Sequence, residues 1–264
     1  MWALRHPVTA TALPWREGWS NAAGVATACA LGASLAASGL IPHEPAAVVG
    51  VAAIHGGLIA VALIWAGRPT REALVPIVLL ALARALVGVN ALGALAYLAV
   101  PVWLAREAIA GRLARLELGA PWPWGPVAIG AASGIALALH LVACASRTLG
   151  YVIRFDADAI LPAFAYDVGA NVVSAELFFR GALLHHLWRR WTFGVALALA
   201  SLAAAVRYCF DPFVATTELR VGAAVYMTML AILNGVLCRW SASLLPGLAA
   251  AAIFFACYRL LASG

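Results

Sequence analysis

Between Ala73 and Ala105 the chain runs for 33 residues, ALVPIVLLALARALVGVNALGALAYLAVPVWLA, with a single charged side chain, Arg84. Water cannot surround such a stretch, and similar runs recur along the whole sequence. Only 11% of the 264 residues are charged against 65% hydrophobic, with a mean hydropathy of +0.96. A soluble domain carries about a quarter charged residues. Too little polar material exists here to coat a globule. The fold class that follows is all-α: a polytopic integral membrane helix bundle.

Crossing a bilayer as a helix takes about 20 apolar residues. Spans are read near 21–41, 46–66, 73–88, 91–105, 126–146, 158–188, 192–210, 219–238 and 243–262, about eight to nine in all. The 73–105 run is too long for one upright span. Gly88, Asn90 and Gly93 supply turn chemistry near its middle, which favours a tight hairpin. Charge supports that choice. With the hairpin and an internal N-terminus, ten arginines (5, 16, 68, 71, 106, 112, 115, 189, 190, 239) fall inside and four (147, 154, 220, 259) outside. One tilted helix would spoil this bias. The N-terminal stretch MWALRHPVTATALPWREGW lacks the apolar core of a cleavable signal, so the first long run is expected to stay as an anchor. The expected location is a bacterial cytoplasmic membrane.

REAIAGRLARLELGAPWPWG (106–125) alternates Arg with Leu and Ala, then ends in Pro and Trp. This pattern fits an interfacial helix with an aromatic anchor. It marks a boundary between an N-terminal bundle, 1–120, and a C-terminal one, 121–264. The formal charge of +6 comes entirely from scattered arginines, with no lysine present, so no nucleic-acid partner is expected. The five cysteines show no C-x-x-C spacing and read as small buried residues. No H-E-x-x-H or other zinc spacing occurs, and no metal or other cofactor is implied.

Ionisable side chains inside spans are expensive and default to functional hypotheses. They are Arg84, His55, His140, Asp167, Glu176, Arg180 and Arg207. At 100° per residue Asp167, Asn171 and Ser174 share one stripe, while Glu176 and Arg180, four apart, share another within pairing reach. The 158–188 helix is therefore the most polar span and must face the bundle interior. An ion pair that only locks helices is the plain alternative. Arg207, near the end of its span, reads as a snorkelling arginine or as a partner of Asp211.

At these residues a family resemblance emerges. AELFFRGALL, with Glu176, Phe179, Arg180 and Gly181 in register, resembles the first motif of the CPBP family of intramembrane proteases, which includes the type II CAAX prenyl endopeptidases. That motif reads Glu-Glu-x-x-x-Arg, commonly ending Phe-Arg-Gly. SLAAAVRYCF (201–210) stands where the family has Phe-x-x-x-His, and SASLLPGLAAAAIFF (241–255) resembles its final helix, with His-x-x-x-Asn or a variant. The likeness covers roughly residues 125–264.

The resemblance implies a CPBP-like core with Glu176 and Arg180 as remnants of the catalytic motif. It implies a cavity lined by Asp167, Asn171, Ala175, Tyr208, Ala250 and His140. It also exposes departures. The motif's first Glu, the family's candidate base, is Ala175 here. Tyr208 replaces one His and Ala204 the Phe before it, while Ala250 and Phe254 replace the final His and Asn. Losing such acid–base groups costs about 10² to 10⁴ in rate for each. The expected function is a non-catalytic relative that binds membrane lipid, a membrane-tethered peptide or a partner transmembrane helix. The alternative is an active endopeptidase with rearranged residues, such as an Asp167–His140 pair.

Overall fold

The apolar runs fold as helices because a helix satisfies its own backbone, the condition that lipid imposes. A computed structural model describes residues 15–118, 122–209 and 217–262. Nine longer helical stretches follow one another among them. They are α1 (Trp15–Ala37), α2 (His43–Trp65), α3 (Val75–Val87), α4 (Ala99–Ile109), α5 (Trp124–Thr148), α6 (157–188), α7 (Phe193–Cys209), α8 (Thr217–Ser241) and α9 (Leu245–Tyr258). The strands among the described residues are two-residue pieces, β1 (Val152–Ile153) paired antiparallel with β2 (Leu261–Ala262). The architecture is all-α.

Five helices among the described residues are long and apolar enough to cross a membrane: Trp19–Ala37, His43–Trp65, Leu92–Ile109, Trp124–Thr148 and Ala224–Ser241. Phe193–Tyr208 and Leu245–Tyr258 are apolar but shorter. Large apolar side chains such as Val78, Leu82, Val102, Leu139 and Leu202 stand exposed along these helices. In water such a surface would drive aggregation.

The chain divides into two compact units. One comprises Thr9–Ala120 with Asp156–Phe178; the other contains Pro121–Phe155 and Phe179–Gly264. Residues 156–178, which the sequence places in the C-terminal bundle, group instead with the N-terminal helices. The reason is polar and steric: the start of α6 packs on the segment before α4 and hydrogen-bonds to α2, as described below.

In the first unit the 73–105 run does turn back on itself. Val89 and Asn90 bond back to the Leu86 carbonyl, and the Asn90 side chain accepts from Leu92 N at 2.8 Å. The return leg begins as a 3₁₀ stretch, Ala91–Leu98, before relaxing into α4. Runs of that length are uncommon in this geometry. A Cβ on Gly93 would run into the Leu86 backbone, so only glycine lets the two legs meet this closely. Arg84 of α3 pairs with Glu44 of α2 at 3.2 Å.

The interfacial helix expected over 106–125 does not form among residues 106–118. α4 ends at Ile109, Gly111 takes a left-handed φ of +71°, and a single 3₁₀ turn, Ala114–Leu116, follows. Glycine is the residue that closes a helix in this conformation. Glu107 supplies the other reason. It is buried and binds Arg68 and Arg112, which folds the arginines back onto the unit.

In the second unit the central feature is the seam between α5 and α9. Gly130 and Gly134 lie four apart on α5 and meet Pro246 and Ala250 of α9, also four apart. A Cβ on Gly130 would stand 2.7 Å from the Pro246 carbonyl carbon, and one on Gly134 would stand 2.5 Å from the Ala250 oxygen. This small-x-x-x-small pattern lets two backbones touch, which substitutes for hydrophobic drive in lipid. Helix α8 packs on α7, where Gly235 receives the Leu197 side chain, and on α9, where Tyr226 stacks against Phe254.

Candidate functional site

Tyr166, Asp167, Asn171 and Ser174 of α6 gather in the first unit. Helix α2 widens into a π turn over Ala52–Gly56, and α6 does so over Asp167–Val172 and again over Glu176–Leu184. Such wide turns carry an extra residue and are frequent at functional sites. Small residues let the elements approach. A Cβ on Gly56 would lie 2.7 Å from Ile77 Cα, and one on Gly169 would lie 2.5 Å from the Tyr97 carbonyl carbon. Pro162, one turn before Tyr166, removes a backbone donor from α6.

His55, from the π turn of α2, is the hub. Its Nδ1 lies 3.0 Å from Ser174 Oγ and its Nε2 lies 2.7 Å from the Tyr166 hydroxyl. Tyr166 also sits edge-on to His55 and to Tyr97, with centroids 5.4 and 5.3 Å away. The Ser174 hydroxyl donates to the Asn171 carbonyl at 3.0 Å, and Asn171 Nδ2 donates to Asp167 Oδ1 at 3.3 Å. All of these side chains are buried except Tyr166, which is half-buried; Asp167 and Ser174 are fully enclosed.

The Ser174 hydroxyl lies within reach of both the Asn171 carbonyl and His55 Nδ1, while His55 Nε2 faces the Tyr166 hydroxyl. The tautomer of the ring sets the direction of the two histidine contacts: with its proton on Nδ1 the ring donates to Ser174 and accepts from Tyr166, and with its proton on Nε2 both roles reverse. A base that activates Ser174 needs its lone pair on Nδ1, the second of these states.

The residues singled out from sequence divide between the units. Asp167, Asn171 and Ala175 belong to the first, with Ala175 only 2% exposed beside Ser174. Glu176 is in the first unit and Arg180 in the second, both buried within the π segment of α6. The Arg180 guanidinium lies 6.0 Å from the Phe179 ring, and its carbonyl accepts from His185 Nδ1 at 2.8 Å.

In the second unit His140 Nδ1 meets the Tyr226 hydroxyl at 2.9 Å, with Cys144 Sγ 3.8 Å from the ring. Asp167 bonds Asn171 within the first unit, and His140 bonds Tyr226 within the second. Tyr208 lies against Phe255 and under the Arg207 guanidinium, 4.5 Å from its ring centre. Asp211, the other partner considered for Arg207, is outside the described residues. Ala250 is fully buried, and its backbone lies against Gly134 in the α5–α9 seam.

The sequence marks His55 singly and gives no sign of Tyr166. Separations of 111 and 119 residues carry no periodic signal that could join them. The Gly130–Gly134 spacing does carry one, a small-x-x-x-small signature legible in the chain itself. Comparison of the chain with protein-family models, curated proteins and solved structures returns no match.

Proposed function

We propose that this protein is a non-hydrolytic, multi-pass membrane protein of the CPBP kind. It works by binding membrane lipid, a membrane-tethered peptide or a partner transmembrane helix, not by turning a substrate over. The proposed topology has nine spans, short ones included, with the N-terminus on the cytoplasmic side of a bacterial membrane. The observation that supports this reading is at Ala175: the position where the CPBP motif carries its base is a buried alanine, 2% exposed. The π turns and the histidine hub then act as a clamp that fixes α2 against α6.

A second reading, an active endopeptidase with rearranged residues, draws on the Ser174–His55 contact. With the His55 proton on Nε2 and the Ser174 hydroxyl turned toward Nδ1, Ser174 donates to Nδ1 and Nε2–H donates to Tyr166. That is a nucleophile–base pair within reach.

One experiment separates the two. Purified protein in liposomes, given prenylated CAAX peptides and single-span substrates, is expected to cleave neither above the level of an Arg180→Ala control. A serine-directed fluorophosphonate is expected to leave Ser174 unlabelled. Turnover abolished by Ser174→Ala, with labelling of the same residue, would establish the endopeptidase instead.

A further inference from the structure

The polar cluster does not absorb the most highly charged part of the first unit, where α2 and α4 end. Gly67, with φ +89°, turns the chain after α2, and Gly111 does the same after α4. The two turns are tied together by ions. Arg68 Nη2 donates to Glu107 Oε2 at 2.9 Å and also bonds Glu72. Arg112 Nη1 donates to both oxygens of Glu107, at 3.0 and 3.3 Å, and Arg115 Nη1 donates to the Ala66 carbonyl at 3.4 Å.

Glu107 is thus a buried anion that holds guanidinium groups from both turns in fixed places. The two turns and their flanks carry five arginines, Arg68, Arg71, Arg106, Arg112 and Arg115, against the carboxylates of Glu72, Glu107 and Glu117. Arg71, Arg106, Arg112 and Arg115 are exposed. Both helices that end here are long and apolar enough to cross a membrane, so this excess of positive charge stands at the depth where apolar surface gives way to water.

We propose that this turn pair is a binding site for the phosphate of acidic phospholipid headgroups. A guanidinium fork matches phosphate oxygens two at a time, and a polybasic segment beside a span is drawn to anionic lipid. Glu107 has a positioning role: by neutralising Arg68 and anchoring Arg112 it keeps the turns together while the outer arginines face the headgroups. This assignment is independent of the chemistry proposed for the His55 cluster and requires only that α2 and α4 reach the membrane surface.

The test uses full-length protein in detergent mixed with phosphatidylglycerol and phosphatidylcholine, with bound lipid read by native mass spectrometry. Wild type is expected to retain phosphatidylglycerol preferentially. Arg106→Gln, an exposed change outside the Glu107 bonds, is expected to weaken that preference about five-fold, the scale of one arginine at an anionic surface. Arg71→Gln/Arg106→Gln/Arg115→Gln is expected to abolish it, whereas Arg154→Gln, an exposed arginine of the other unit, leaves it intact. Unfolding midpoints in phosphatidylcholine alone check that each variant is folded. Equal preference in wild type and Arg106→Gln, or equal loss in Arg154→Gln, overturns the site. Displacement of the lipid by millimolar inorganic phosphate also overturns it, in favour of a free-anion site.

Discussion

Gly130→Val is expected to lower the unfolding midpoint in detergent steeply and to cut the yield of folded protein. At this position the new side chain meets backbone, the carbonyl carbon and Cα of Pro246 at 2.7 and 2.8 Å from the Cβ alone. No rotamer relieves such a contact, so α5 must move away from α9. Overpacking of this sort costs about 1–3 kcal/mol, and occasionally more. The displacement would also open the next turn, where Gly134 meets Ala250. Gly125→Val, on the same helix, is the matched control: a Cβ there meets nothing within 4 Å, and the midpoint should stay nearly unchanged. Equal midpoints for the two variants would mean that the seam is not what holds these helices.

The second large effect is at His55. His55→Ala removes a ring from a buried position and leaves the Ser174 and Tyr166 hydroxyls without their common partner. An unsatisfied buried group costs about 1–3 kcal/mol, and the cavity adds to it. Hydrogen bonds between membrane helices average less, about 0.6 kcal/mol, because the unfolded state in lipid also finds partners. The expected total loss is about 3 kcal/mol, weighing the cavity together with the two lost bonds. His55→Phe keeps the bulk and deletes both bonds, so it separates the two contributions. It should fall between wild type and His55→Ala. A double-mutant cycle with Ser174→Ala then isolates the Nδ1–Oγ bond. If His55→Phe matches wild type, the ring serves packing alone and the clamp is an apolar one.

Some of this is legible in the sequence. Counting along a helix puts Asp167, Asn171 and Ser174 on one stripe, and the structure links them through consecutive hydrogen bonds. Gly88, Asn90 and Gly93 announce the turn inside the long apolar run, and Asn90 caps the return leg with its own side chain. Local chemistry is visible because the residues that produce it are neighbours. What stays hidden is tertiary. Nothing near Ala175 reveals that its span groups with the N-terminal helices, because that depends on His55 finding Ser174. The 106–125 segment misleads for a related reason. Its alternation of Arg with Leu and Ala suits a helix lying on a surface, yet the pull of buried Glu107 on Arg68 and Arg112, together with Gly111, ends the helix early. For Ala250 the motif it fails to match says less than its partner across the seam, Gly134.

The wide turns in α2 and α6 have an evolutionary corollary. Each behaves as a one-residue insertion into an ordinary helix, rotating what comes after it by about 100°. Deleting a single residue from Ala52–Gly56 would restore the usual pitch while swinging one half of α2 relative to the other. His55 and the apolar face of Ile59 and Leu63 could not then both keep their present directions. A descendant could therefore lose the histidine hub through one codon deletion, with every participating side chain still encoded.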